Sequence, residues 1–315
     1  MPTDWLDLII EAVKRLAPAE TMLSHPFMVR GLLALVLVSL ICGSVGSLVV
    51  GNRMSFFSDA LAHVAFAGAA LGWLIAFMAG LPLAGPAFDQ SLLAVMVGLG
   101  IVVGVGIAYV RESTSLASDT VIGVFFAGAM GFGVMLLKNI SKSSRFSPET
   151  FIFGDLVNVT TGDVLYLLLL AVVTAAALAL TFNTLVFASF NTSLARSRQL
   201  PVRICNYLFI MLLALIVNLC FRIVGVLLIT ALLVVPAATA ANCSRNLRSM
   251  FWATLGFCLL CSVGGLVLSW EAGNWLQHRG FRVEFVQGGT IVVLSVLFFF
   301  LTMALGTRRG GRVPA

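Results

Sequence analysis

Ser91-Leu-Leu-Ala-Val-Met-Val-Gly-Leu-Gly-Ile-Val-Val-Gly-Val-Gly-Ile-Ala-Tyr-Val110 runs for twenty residues without a charge. A helix of that length rises about 30 Å, the thickness of a bilayer's hydrocarbon core. Stretches of the same kind recur over 27–50, 60–80, 119–137, 163–182, 204–221, 223–242, 250–270 and 288–306. The chain therefore reads as an all-α, polytopic integral membrane bundle of about nine transmembrane helices. The sixth and seventh are parted only by Arg222, and read either as one broken segment or as two short helices.

Composition agrees. The 315 residues are 60% hydrophobic and 10% charged, where a soluble domain carries about a quarter charged residues. Three segments follow: an amphipathic N-terminal segment over 1–26, a transmembrane domain over 27–306 and a basic tail over 307–315. In the first, Leu6, Ile9, Ile10, Val13 and Leu16 suggest a helix lying on the membrane surface, in contact with lipid, and not a signal peptide.

The net charge of +6 comes from arginines in short loops and the tail. No basic run is interleaved with aromatics, so nucleic acid is not an expected partner. Arg196, Arg198 and Arg203, then Arg245 and Arg248, then Arg308, Arg309 and Arg312 all fall on the cytoplasmic side if nine spans begin outside. Lys14, Arg15, Lys138, Lys142 and Arg145 fall on the opposite side in that arrangement. The six cysteines are scattered, and Cys258-x-x-Cys261 lies within an apolar run with no second ligand pair at a fitting spacing, so packing is expected. Gly68-x-x-x-Gly72 and Gly100-x-x-x-Gly104 have the spacing that lets helices approach closely in lipid.

The chain holds no P-loop: its lysines are Lys14, Lys138 and Lys142, and none follows the required glycines. The subunit is thus expected to have no nucleotide site and no enzymatic activity of its own. If ATP drives it, another chain binds the ATP.

Within Ser58-Asp-Ala-Leu-Ala-His63-Val-Ala-Phe-Ala-Gly68, Asp59 and His63 stand four residues apart and share one helix face. Ionisable groups at a membrane helix are costly, and a carboxylate with an imidazole suits divalent transition metals. The plainer alternative is a helix-entry cap plus an interhelical hydrogen bond. Two ligands leave a metal under-coordinated, which suits an ion that must leave again. Asp119, Asp155 and Asp163 read as cap and turn residues. Pro236, deep in the seventh span, reads as a helix break or kink beside a cavity.

Several segments together resemble the membrane-permease subunits of bacterial zinc, manganese and iron ABC importers. They are Cys42-Gly-Ser-Val-Gly-Ser-Leu-Val-Val-Gly-Asn-Arg53, the Ser55…Asp59…His63-Val64…Gly68 stretch, Asp119-Thr-Val-Ile-Gly123, Phe153-Gly-Asp-Leu156 and Ala231-Leu-Leu-Val-Val-Pro-Ala-Ala-Thr-Ala240. The resemblance implies a multi-pass protein of the bacterial cytoplasmic (inner) membrane that passes zinc, manganese or iron inward by alternating access. It implies a cytoplasmic ATP-binding subunit, an extracytoplasmic metal-binding protein and a second permease copy or paralogue. No cofactor is bound permanently; Asp59 and His63 are transient metal contacts. It also implies a coupling segment that seats on the ATPase, carried here by Leu194, Ala195, Arg196, Leu200 and Pro201. The family pattern has acids in Phe190-Asn-Thr-Ser-Leu-Ala195, glycine at Gln199 and proline at Ala67; this chain departs at each. The competing class is an ion-coupled secondary transporter working without an ATPase. It would need acids deep in the spans, and beyond Asp59 the sequence offers almost none.

Overall fold

The computed structural model describes residues 22, 25–80, 82, 85–114, 116–140, 153, 154, 156–190, 195, 197–280 and 286–308. The N-terminal segment, the tail beyond Arg308 and Asp155 thus lie almost wholly outside the described residues. The long helices are α1 (Pro26–Gly51), α2 (Ser55–Met78), α3 (Pro86–Ser113), α4 (Ser118–Ile140), α5 (Thr161–Phe190), α6 (Val202–Val224), α7 (Val226–Cys243), α8 (Leu247–His278) and α9 (Gln287–Arg308).

Eight stretches of the described chain are long and apolar enough to cross a membrane, and one of them, Val202–Cys243, has 42 residues. A continuous helix of that length would rise about 63 Å, twice the hydrocarbon core. Gly225 divides it, with φ +81° and ψ 165° at the N-cap of α7. The break therefore falls at a glycine that adopts a left-handed backbone, not at Arg222, which lies in the last turn of α6. Two helices also outrun the apolar stretches that announce them. Helix α5 continues to Phe190 and α8 to His278.

The chain forms two compact units, one of residues 48–152 and 174–222, the other of 1–47, 153–173 and 223–315. In the first, α2 packs on α3 and α4. Its seam with α3 is set by glycine: a methyl at Gly68 would stand 2.8 Å from Met96 Cα, and one at Gly72 3.4 Å from Leu92 Cα. Ala70, Trp73 and Leu136 form a core with Leu74, Phe88 and Phe132 packed against it.

In the second unit α7 packs on α8 and α9, and α8 on α9. Gly46 admits the carbonyl of Leu233, which lies 2.6 Å from where its Cβ would be. Gly154, at φ +75°, puts its missing Cβ 2.7 Å from the nitrogen of Gly225, so the Phe153-Gly154 backbone lies directly on the helix break. At the start of α5, Asp163 Oδ2 accepts from the Thr160 N–H (3.0 Å) and hydroxyl (2.6 Å), and the Asp163 N–H donates to Thr160 Oγ1 (3.3 Å). This reciprocal cap is the role the sequence suggested for Asp163. Asp119 instead sits exposed inside the first turn of α4, where its charge complements the helix dipole.

Candidate metal-contact site and coupling segment

The turn before α2 is rigid for local reasons. Asn52 closes α1 with its N–H (2.9 Å) and Nδ2 (2.8 Å) both donating to the Leu48 carbonyl. Arg53 takes φ +55°, and the Met54 N–H reaches back to the Val49 carbonyl at 2.9 Å. This is the six-to-one bond of a helix end with a left-handed residue. Helix α2 then starts at Ser55, and its N-cap residue Met54 makes no side-chain cap bond.

Asp59 lies beyond the first turn of α2, so its carboxylate does not cap the helix. His63 makes its hydrogen bond within its own helix: Nδ1 is 2.9 Å from the Asp59 carbonyl oxygen. Among the described residues neither part of the plainer reading, the entry cap or an interhelical bond, is seen at the pair. A carbonyl can only accept, so Nδ1 carries the hydrogen and a neutral ring leaves its lone pair on Nε2. A ring nitrogen donating to a backbone carbonyl is the usual support for a metal-binding imidazole. The Phe126 ring meets the imidazole edge-on at 4.7 Å and restricts its rotation.

Asp59 Oδ1 lies 3.8 Å from Nδ1, and the two side chains are 44% and 25% exposed respectively. The nitrogen nearest the carboxylate is the one committed to the carbonyl. In this rotamer, then, the carboxylate and the free lone pair face different directions. No cluster of three or more His, Cys, Asp or Glu side chains is present among the described residues. A nearby groove of about 300 Å³ is walled by apolar residues, including Val64, Ala67, Val103, Phe125 and Phe132, and neither Asp59 nor His63 lines it.

Pro236 sits inside an unbroken helix, Val226–Cys243, so the break expected at that residue is not there. The missing N–H of Pro236 removes the bond that the Leu232 carbonyl would accept. Cys258 Sγ, 3.7 Å from that carbonyl, donates to it instead. The buried thiol thus meets the carbonyl that the proline leaves without its helix partner.

Of the expected coupling residues, Leu194 and Arg196 lie outside the described residues. Ala195 is buried, Leu200 half-buried and Pro201 exposed. The Leu200 N–H donates to the Ala195 carbonyl at 3.2 Å, and the Cys205 N–H to the Pro201 carbonyl at 3.0 Å. The end of the segment is thus tied directly to α6. Gln199, where the family pattern has glycine, takes φ +56°. Sequence reasoning passed over one contact beside it. Arg203 Nε donates to Glu112 Oε2 at 2.7 Å, and the Tyr207 hydroxyl lies 3.4 Å from the same oxygen. The residues are separated by 91 positions, and no local pattern connects them.

Nine long helices among the described residues, with a carboxylate–imidazole pair on the partly open face of a span, define a polytopic helical membrane protein. Comparison with known sequences makes this specific. The chain belongs to the ABC 3 transport family, whose profile matches residues 24–306. It is 26% identical to the manganese import system permease protein ScaB of Streptococcus parasanguinis, over 90% of this chain and 92% of that one. It is 27% identical to the high-affinity zinc uptake system membrane protein ZnuB of Haemophilus influenzae, over 86% and 95%. Among solved structures, PsaBC from Streptococcus pneumoniae in complex with Fab aligns with a TM-score of 0.69 and 26% identity, covering 88% of this chain and 90% of its own.

Proposed function

We propose that this chain is the permease subunit of an ATP-driven importer that moves a divalent transition metal ion (zinc, manganese or iron) across the bacterial cytoplasmic membrane by alternating access. A separate subunit binds and hydrolyses ATP, an extracytoplasmic protein delivers the metal, and a second permease copy or paralogue completes the pathway. The observation that carries the reading is the state of His63. Its Nδ1 lies 2.9 Å from the Asp59 carbonyl oxygen, which leaves Nε2 outside that contact, and the partly open Asp59 carboxylate stands beside it. Membership of the ABC 3 transport family supplies the context. Asp59 and His63 act as passing contacts: among the described residues no cluster of three or more His, Cys, Asp or Glu stands ready to hold the ion. Residues 195 and 197–201 are the described part of the proposed coupling segment. Relatives named for manganese and for zinc are equally similar to this chain, and an Asp–His pair accepts either metal.

The test is metal uptake by proteoliposomes holding the permease, its cognate ATPase and the binding protein. Asp59→Ala and His63→Ala are expected to abolish ATP-dependent uptake while the complex still assembles. Undiminished uptake by both variants removes the pair from the pathway. Uptake by the permease alone would show the secondary transporter instead. Competition among zinc, manganese and ferrous iron in the same vesicles names the cargo.

A further inference from the structure

The pair formed by Glu112 and Arg203 does more than decorate a loop. Arg203 lies two residues past Pro201, in the first turn of α6, and Tyr207 is one turn further on. Glu112 sits in the last turn of α3, where a negative charge is unfavourable beside the carbonyl end of the helix dipole. The carboxylate side chain is only 21% exposed, and a single oxygen receives both Arg203 and Tyr207. From there α3 and α6 run antiparallel along one seam. Gly104 faces Ile210 and Ala214, and Gly100 admits the side chain of Asn218. The other side of α3 carries Met96 and Leu92 against Gly68 and Gly72 of α2, the helix of Asp59 and His63. Helix α3 is therefore packed between the helix that continues the coupling segment and the helix that bears the metal contacts.

We infer that Glu112 and Arg203 are positioning residues for transport: a clasp that makes α3, and through it α2, follow the coupling segment when the ATPase closes. The inference rests on the functional reading above. Packing along the seam presses the helices together, with Asn218 seated at Gly100 towards its far end and Glu112 making the polar tie at the other. An ion pair at the end of the seam fixes the register. Arg203 is 71% exposed, so the pair contributes little to stability, and its loss leaves the fold intact.

The experiment uses the whole complex in proteoliposomes, with metal imported and ATP hydrolysed measured in the same vesicles. Arg203→Glu sets two carboxylates against each other, and is expected to lower metal imported per ATP by about three- to five-fold, the size of an exposed pair's coupling. ATP hydrolysis and thermal stability should stay near wild type. The exchange Glu112→Arg with Arg203→Glu should restore the ratio to within about two-fold of wild type, a rescue that general loosening of the fold would not give. If Arg203→Glu fails to assemble, the neutral variants Glu112→Gln and Arg203→Gln carry the same test, with a drop of about two-fold expected. A wild-type ratio in the single variants, or an exchange variant no better than the worse single, overturns the clasp. Failure of the wild-type complex to import metal with ATP overturns the functional reading itself.

Discussion

Replacing Gly68 by alanine tests the α2–α3 seam directly. The added methyl would stand 2.8 Å from Met96 Cα, where ordinary contact begins at 3.4 Å, so α3 must retreat by about 0.6 Å. The obstacle is backbone, and no rotamer change relieves it. Overpacking of this kind costs about 1–3 kcal/mol. Alanine also favours the helix over glycine by about 1 kcal/mol. A control cancels that second effect: Gly123, in α4, has nothing within 4 Å of its missing Cβ. Gly123→Ala should keep the propensity gain without the clash. The difference between the two variants is then the overpacking cost alone, about 2 kcal/mol, or roughly thirty-fold in an unfolding equilibrium. Reversible unfolding in mixed micelles of mild detergent and dodecyl sulfate measures it. Equal stability of Gly68→Ala and Gly123→Ala would refute the argument that backbone contact at Gly68 sets the seam. Because α2 carries His63, the Gly68 variant should also import metal more slowly.

Gln199→Gly should stabilise the turn before α6 by about 0.5–1 kcal/mol, since a left-handed L-residue costs about 1–2 kcal/mol and glycine's added chain entropy returns part of that; the unfolding midpoint reads it. Gly154→Ala should destabilise by more than about 3 kcal/mol, combining a φ of +75° with a collision against Val224 and Gly225, and is expected to abolish accumulation of folded permease in the membrane. Cys243 is exposed while Cys42, Cys205, Cys220, Cys258 and Cys261 are buried, so a maleimide should label the folded protein at Cys243 alone. In sealed cells an impermeant maleimide should miss it, as Arg245 and Arg248 mark that end of α7 as cytoplasmic; labelling from outside would reverse the orientation.

The helices were legible because a span must be apolar throughout, and that demand is written along the chain. Their ends were less so. The span expected to end at Phe182 continues to Phe190, because Leu185, Val186 and Phe187 carry the apolar pattern past the polar Asn183-Thr184. Arg222 announces the gap between the sixth and seventh spans, but a backbone breaks where φ allows, and that is at Gly225. Pro236 suggested a break, yet the helix runs through it, and the thiol that meets the orphaned Leu232 carbonyl lies 26 positions away on another helix. At the site, the i, i+4 spacing put Asp59 and His63 on one face. Which ring nitrogen stays free depended on a rotamer, and spacing carries no rotamer. Glu112 and Arg203 became partners only through the α3–α6 packing.

The buried cysteines have a consequence for the passage of metal. Thiolate sulfur is among the tightest donors for zinc and other soft ions, and a tight donor detains what it binds. Five of the six thiols are withdrawn into the packing between helices, and one of them is occupied with a backbone carbonyl. At the contacts proposed above, Asp59 and His63, an ion would meet an oxygen and a nitrogen in place of sulfur. On that proposal the helix packing keeps the donors that would hold a soft metal longest out of its way.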